Sequence, residues 1–192
     1  MHPCFAEICE RIDGLLSEKQ TVLVAIDGCC GAGKTTLAAI LAEKYDCNVF
    51  HMDEFFLRPE QRTARRLAQP GGNVDYERFR EEVLSSLPSG RGVEYRAYDC
   101  RTGTLKEAVS MPPKRVNIIE GTYSLHPYFE DPYDLKLFLG VPWDVQKARI
   151  LLRPAEKHRR FFEEWIPMEQ RYFEAFSIAE KCDMKMEGIG WD

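Results

Sequence analysis

At 192 residues the chain is long enough for one core, expected as a single domain over 1–192, that buries roughly 70% of the extended-chain surface. Its 26 Lys and Arg against 31 Asp and Glu leave a net charge of −5, with the basic residues spread rather than banded, which argues against nucleic acid as a partner. Seven cysteines form no C-x-x-C pair and the four histidines do not cluster, so no disulfide framework or zinc site is signalled, and the lack of any signal-length or membrane-length apolar run predicts a cytoplasmic protein without membrane contact.

Phe5, Ile8, Ile12, Leu15 and Leu16 recur at helical spacing and predict an amphipathic helix ahead of the first strand. Continuous apolar runs at "TVLVAI" (21–26), "CNVFHM" (47–52), "RVNIIE" (115–120), "DLKLFLG" (134–140) and, more weakly, "CDMKME" (182–187) predict buried parallel strands. Helical patterns fall between them at 34–44, 75–87, 142–153 and about 156–176, with Pro167 as a break in the last. Strands alternating with helices predict an α/β fold of three layers. The stretch of about 57–113 departs from this pattern: 57–74 is rich in Arg, Pro and Gly, and the alternation in "VEYRAY" predicts a short hairpin or edge strand in an inserted segment.

"AIDGCCGAGKTTLA" (25–38) carries the phosphate-loop spacing G-x-x-x-x-G-K-[ST] at Gly28, Gly33, Lys34 and Thr35. A chance match to those positions in a chain of this size has a probability of roughly one in a hundred. The motif follows a strand and opens a helix, as its chemistry requires. Backbone N–H groups around Gly31, Ala32, Gly33 and Thr36 and the helix N-terminus hold phosphates, Lys34 reaches the β- and γ-phosphates, and the Thr35 hydroxyl takes Mg²⁺. Cys29 and Cys30 read as small side chains where the backbone wraps an anion, with oxidation sensitivity the alternative.

Asp53 and Glu120 each end a predicted strand, and in a parallel sheet those ends share one crevice with the loop. Phosphoryl transfer needs one group to accept the hydroxyl proton and another to hold Mg²⁺, and these two acids supply the candidates. "VFHMDE" imitates the strand signature of motor ATPases, but its spacing from Lys34 suits an acid facing a second substrate better. D-x-x-G and N-K-x-D, the GTPase signatures, are absent. Arg149 and Arg153 lie four apart on a predicted helix, hence on one face, followed by a charged turn, where a lid over about 153–162 could bring cations to the transferring phosphoryl group. Asp75 fits either a helix N-cap or a ligand-binding acid. Tyr95 and Tyr98 fit either an edge strand or stacking on a flat ring.

These stretches together with "HMDEFFLRP", "GGNVDYERF", "YDCRTG" and "IIEGTYSLHP" resemble the uridine kinase-like branch of small-molecule P-loop kinases, with Asp53 followed by Phe55 and Phe56 and then "EG" at 120–121 as the restrictive features. The resemblance implies a five-stranded parallel sheet, ATP with Mg²⁺, and a nucleoside-like alcohol as acceptor. It implies Asp53 as general base, Glu120 as the acid near the metal, Asp75 on ribose hydroxyls, Tyr98 against the base, and Arg149 and Arg153 as lid arginines. Phe55 and Phe56 are expected behind Asp53, where they fix the backbone and exclude water, with Phe55 on the substrate side. The family's pyrimidine-reading His and Arg are replaced here by "CRTGTLKE", leaving Arg101 and Lys106. The acceptor could therefore be another small alcohol, such as nicotinamide riboside, pantothenate or a sugar. A nucleotide-binding regulatory protein is the reading from another class, and a homodimer is an open question.

Overall fold

The computed structural model describes residues 3–187, so the ends of the domain expected over 1–192 lie outside the described residues. Helix α1, Phe5–Glu18, buries Phe5, Ile8, Cys9 and Ile12 along one stripe and leaves its other face to solvent. Strand β1, Val22–Gly28, is buried along its whole length, as its run of branched residues demands. The phosphate loop then turns into α2, Lys34–Lys44, which returns to β2, Cys47–His51. Gly28 is required at the turn: its φ is +135°, and a Cβ there would stand 2.1 Å from the carbonyl oxygen of Leu139.

After β2 come short helices α3, Ala64–Leu67, and α4, Tyr76–Phe79, the latter continuing as a π-wound turn over Arg80–Leu84. The helix expected over 75–87 is thus shorter and changes its winding midway. Strands β3, Val93–Tyr95, β4, Tyr98–Asp99, β5, Thr104–Leu105, and β6, Val109–Met111, form the inserted hairpin. It is built in two tiers, β3 against β6 and β4 against β5, so the partners of "VEYRAY" lie further along the chain. Strands β7, Val116–Glu120, and β8, Leu135–Gly140, re-enter the sheet.

Helix α5, Trp143–Leu151, leads to a turn at Ala155–Lys157, to α6, His158–Arg160, a π-wound stretch Phe161–Trp165, and α7, Ile166–Phe176, before the last strand β9, Met184–Glu187. Pro167 was expected to break this region. It sits instead in the first turn of α7, where a missing N–H is tolerated, and the helix continues through it with a change from π to α winding.

The five long strands run in the order β2-β7-β1-β8-β9, all parallel. The chain leaves β1 for β2 on one side and reaches β8 on the other, so the order reverses around β1 and a crevice opens at the strands' carboxyl ends. Register sets Glu120 level with Ile26 on β1 and His51 on β2. One face of the sheet packs on α1 and α2 through Ile8, Ile12, Leu37 and Leu41, and the other on Phe55, Phe79, Tyr95 and Tyr172. This is the expected three-layer α/β arrangement with a five-stranded parallel sheet. Among the described residues no helix is long and apolar enough to cross a membrane.

Candidate active site

At the carboxyl ends of β1, β2 and β7 lies a cleft of about 1250 Å³, with the phosphate loop at its floor, the segment before the hairpin on one wall, and α5 to α7 on the other. A pocket for one drug-sized ligand occupies about 300–1000 Å³, so this cleft has room for two.

Lys34 is buried at the loop, its Nζ donating to the carbonyl oxygens of Gly28 and Cys29 at 2.8 Å each and to Thr122 Oγ1 at 3.2 Å. The Thr35 hydroxyl donates to Glu120 Oε1 at 3.1 Å. His51 Nδ1 meets the same oxygen at 2.6 Å, and that bond raises the histidine's pKa. Arg149 Nη1 donates to the Gly31 carbonyl at 2.8 Å, tying α5 to the loop. Gly31, Gly33 and Thr36 line the cleft, whereas Gly28 and Ala32 do not: Gly28 contributes its carbonyl to Lys34, and Ala32 is packed into the core.

Asp53 stands open in the cleft, yet the walls around it and the Glu120 carboxylate both raise its pKa. Arg153 lines the opposite wall with its guanidinium 4.9 Å from the ring centre of Phe161, beside Lys157 and Arg160. Arg101 lines the cleft from the hairpin tip.

Three expected substrate contacts are not in the cleft. Phe55 is wholly buried, stacked on Tyr95 at 5.6 Å and edge-on to Phe79 at 4.8 Å, because its position in the turn after β2 points it into the core; Phe56 faces the cleft instead. Tyr98 is buried in β4, its hydroxyl accepting from Arg62 Nη2 at 3.3 Å, so Arg62 stands in the cleft where a ring was expected. Asp75 caps α4, accepting from the Arg78 N–H at 3.2 Å, with Arg78 Nε 3.5 Å from its other oxygen. It borders a separate cavity of about 390 Å³.

Other residues join the site without a sequence signal that named them. Glu169, on α7, is buried; it accepts from the Cys30 N–H at 3.0 Å and lies 3.4 Å from the Thr122 hydroxyl, and burial raises its pKa. Burial, and then Glu169, push the Cys30 thiol up to about 12, which keeps it in the protonated, unreactive form. Gln146 Nε2 donates to the Cys30 carbonyl at 2.9 Å. Asp27, fully buried in β1, accepts from the Gly28 N–H at 2.7 Å, the Leu125 N–H at 3.0 Å and the Tyr172 hydroxyl at 2.8 Å, holding the loop floor to α7 and to the turn after β7.

Mg²⁺ takes oxygen ligands, with one or two carboxylates and the rest from phosphates and water. The converging Thr35 hydroxyl and Glu120 carboxylate, with Asp53 in the same cleft, suit it. The loop's glycines, amides and Lys34 suit a nucleoside triphosphate.

The family model for shikimate kinase matches residues 30–93. The chain is 27% identical to a uridine kinase of Ureaplasma parvum over 158 residues, 77% of this chain and 76% of that one. It is 26% identical to a uridine kinase of Shewanella piezotolerans over 163 residues, 77% of this chain and 76% of that one. Among solved structures, D-glycerate 3-kinase of Cryptococcus neoformans matches with a TM-score of 0.69 at 14% identity, covering 99% of each chain. A Bacillus stearothermophilus protein described as a possible uridine kinase matches at 0.65 and 19% identity, covering 94% of this chain and 99% of that one. The chain has the P-loop kinase fold and resembles the uridine kinase-like P-loop kinases, which are phosphotransferases.

Proposed function

We propose that this uridine kinase-like P-loop protein transfers the γ-phosphoryl group of ATP to the primary hydroxyl of a small alcohol, with a nucleoside as the leading acceptor. The observation that carries the reading is the meeting, in one cleft, of Lys34 and Thr35 with Asp53 and Glu120, opposite the arginines of α5 and the following turn. Lys34 supplies the loop's cation to the phosphates, and Arg149, held on the Gly31 carbonyl, and Arg153 stabilise charge on the phosphoryl oxygens. Asp53 takes the proton of the attacking hydroxyl; its raised pKa makes the ionised carboxylate a stronger base. Thr35 and Glu120 would hold Mg²⁺, which would supply positive charge to the phosphate oxygens. His51 and Thr35 fix the orientation of Glu120.

The uridine kinase relatives support the nucleoside. A different small alcohol is favoured by one observation: Asp75 and Tyr98, the residues that the nucleoside reading needs on ribose and base, are a helix cap and a buried strand residue. The test is ADP release with ATP and Mg²⁺ over an acceptor-free blank, across nucleosides, nicotinamide riboside, pantothenate and sugars. Acceptor-dependent ADP release is expected. Acceptor-independent hydrolysis alone, or none, across the panel would favour a regulatory nucleotide-binding role.

A further inference from the structure

Nine arginines lie between residues 58 and 101. Five of them, Arg58, Arg66, Arg78, Arg80 and Arg96, are paired with carboxylates of the chain. Arg65 and Arg91 are exposed and border neither cavity. The remaining two, Arg62 and Arg101, are the ones that line the cleft; neither guanidinium forms a salt bridge among the described residues, although the charge of Arg101 acts on Asp99, whose carboxylate accepts from the Arg101 backbone N–H at 2.8 Å. Arg62 is also held in place: its Nε donates to the Leu57 carbonyl at 2.9 Å and its Nη2 to the Tyr98 hydroxyl at 3.3 Å. A guanidinium fixed by neutral acceptors keeps its whole charge for whatever enters the cleft, and it presents a planar fork suited to a carboxylate or phosphate.

The two arginines stand at the acceptor's end. Beyond burial, the charges of Arg62, Asp53, Asp99 and Lys157 all act on the Cys100 thiol, which is next in sequence to Arg101 and lines the same cleft. The donor's phosphates already have Lys34, Arg149 and Arg153. On this wall Asn73 Oδ1 is buried without a hydrogen-bond partner among the described residues, an acceptor suited to a ligand hydroxyl. A neutral nucleoside satisfies Asn73 but offers no charge to the Arg62 guanidinium, which has no salt bridge among the described residues, or to Arg101 beyond its neighbour Asp99.

Resting on the kinase reading above, we propose that the acceptor is an alcohol bearing an anionic group, a carboxylate or a phosphate, bound by Arg62 and Arg101 while its hydroxyl is directed at Asp53. A nucleoside meets this requirement only if it carries such a group. The chemistry of transfer is unchanged: the acceptor oxygen bonds to the γ-phosphorus, the bond to the β-bridging oxygen breaks, ADP leaves, and the hydroxyl proton goes to Asp53.

The test uses pairs of alcohols that differ only in the anionic group: glycerate with glycerol, pantothenate with panthenol, orotidine with uridine, and glycerol 3-phosphate as the phosphate arm. Two readouts are taken on the full chain: kcat/KM with ATP and Mg²⁺, and the shift in Tm that each alcohol causes with ADP and Mg²⁺ present. For any pair that is used, the anionic member should be favoured by about 10- to 100-fold, the contribution of one or two charge-assisted bonds. Arg62→Gln and Arg101→Gln should narrow that ratio, and Arg65→Gln should leave it intact. A larger effect of glycerol 3-phosphate than of glycerate would identify phosphate as the group. Preference for neutral members, or a preference that Arg62→Gln and Arg101→Gln do not alter, overturns the proposal. So does the absence of both turnover and Tm shift with every anionic alcohol. Tm shifts that Arg62→Gln abolishes, without ADP release from any alcohol, would keep the anion site and overturn the kinase reading instead.

Discussion

An aspartate ahead of a helix can cap the helix or bind a ligand, and Asp75 does the first: it is 2% exposed, bonded to the Arg78 N–H and set against the Arg78 side chain. Removing a cap costs about 0.5–2 kcal/mol, and here it also leaves Arg78, 8% exposed, with Glu82 as its remaining carboxylate. Asp75→Ala should therefore lower the Tm by several degrees while changing KM for ATP and for the acceptor alike. A rise in acceptor KM alone, at unchanged Tm, would return Asp75 to the substrate. Residues like Lys34, Thr35 and Glu120 were legible in the sequence because their meaning is local: a fixed spacing, or an acid at a strand's end. Asp75 was legible only as an ambiguity, since the same local signal serves both uses. Glu169 was not legible at all, because its partner, the Cys30 amide, lies 139 residues away and only the packing of α7 joins them.

At the scale of elements, the turn after β7 is the part on which the site depends most. Gly121 has a φ of +131°, and a Cβ there would come within 2.8 Å of Met52 Cβ, so the turn can lie against the segment that carries Asp53 only with glycine. The turn runs on to His126, which is buried against Tyr76 at 4.3 Å between ring centres, accepts from the Tyr128 N–H at Nδ1 and donates to the Pro70 carbonyl. Burial depresses its pKa from 6.5 to about 4. Its sign follows: below 6.5 the unfolded chain takes up a proton that the folded chain refuses, so stability is lost as pH falls from 6.5 and the loss is complete near 4. The gap corresponds to about 3 kcal/mol, at about 1.4 kcal/mol per pH unit. Denaturant titrations between pH 4 and 7 should show this slope, reduced in His126→Gln; an unchanged slope in the variant would assign the loss to other groups. The long strands and α1, α2 and α5 were legible because each is set by its own apolar period. The two-tier hairpin was only half legible, since β5 and β6 are too short to show a period. At Pro167 the local rule predicted a break, and the surrounding helix absorbed the residue by a change of winding.

For the whole molecule, the parallel sheet explains why Asp53 and Glu120, from distant places in the sequence, meet one loop: all five strands pair in parallel, so every carboxyl end lies on the same side. The chain's net charge of −5 gives no hint of a cleft with seven Lys and Arg side chains on its walls, Lys34, Arg62, Arg101, Arg149, Arg153, Lys157 and Arg160. Composition averages over the surface, and only the fold gathers the cations into one place; the same averaging hid Arg62, which reads in the sequence as one more charge in a loop.

Asp53 as the base for an acceptor hydroxyl is the central claim, and the most direct measurement is kcat for Asp53→Asn beside its affinity for ATP and Mg²⁺. The variant keeps the shape of the side chain but cannot take the proton. The expected result is a fall in kcat of roughly 10²–10⁴, the usual contribution of a positioned base, with ATP and acceptor bound within a few-fold of wild type. Near-normal kcat would remove Asp53 from the chemistry, and a collapse of ATP or Mg²⁺ affinity would make it a metal-site acid, leaving the proposed transfer without its base.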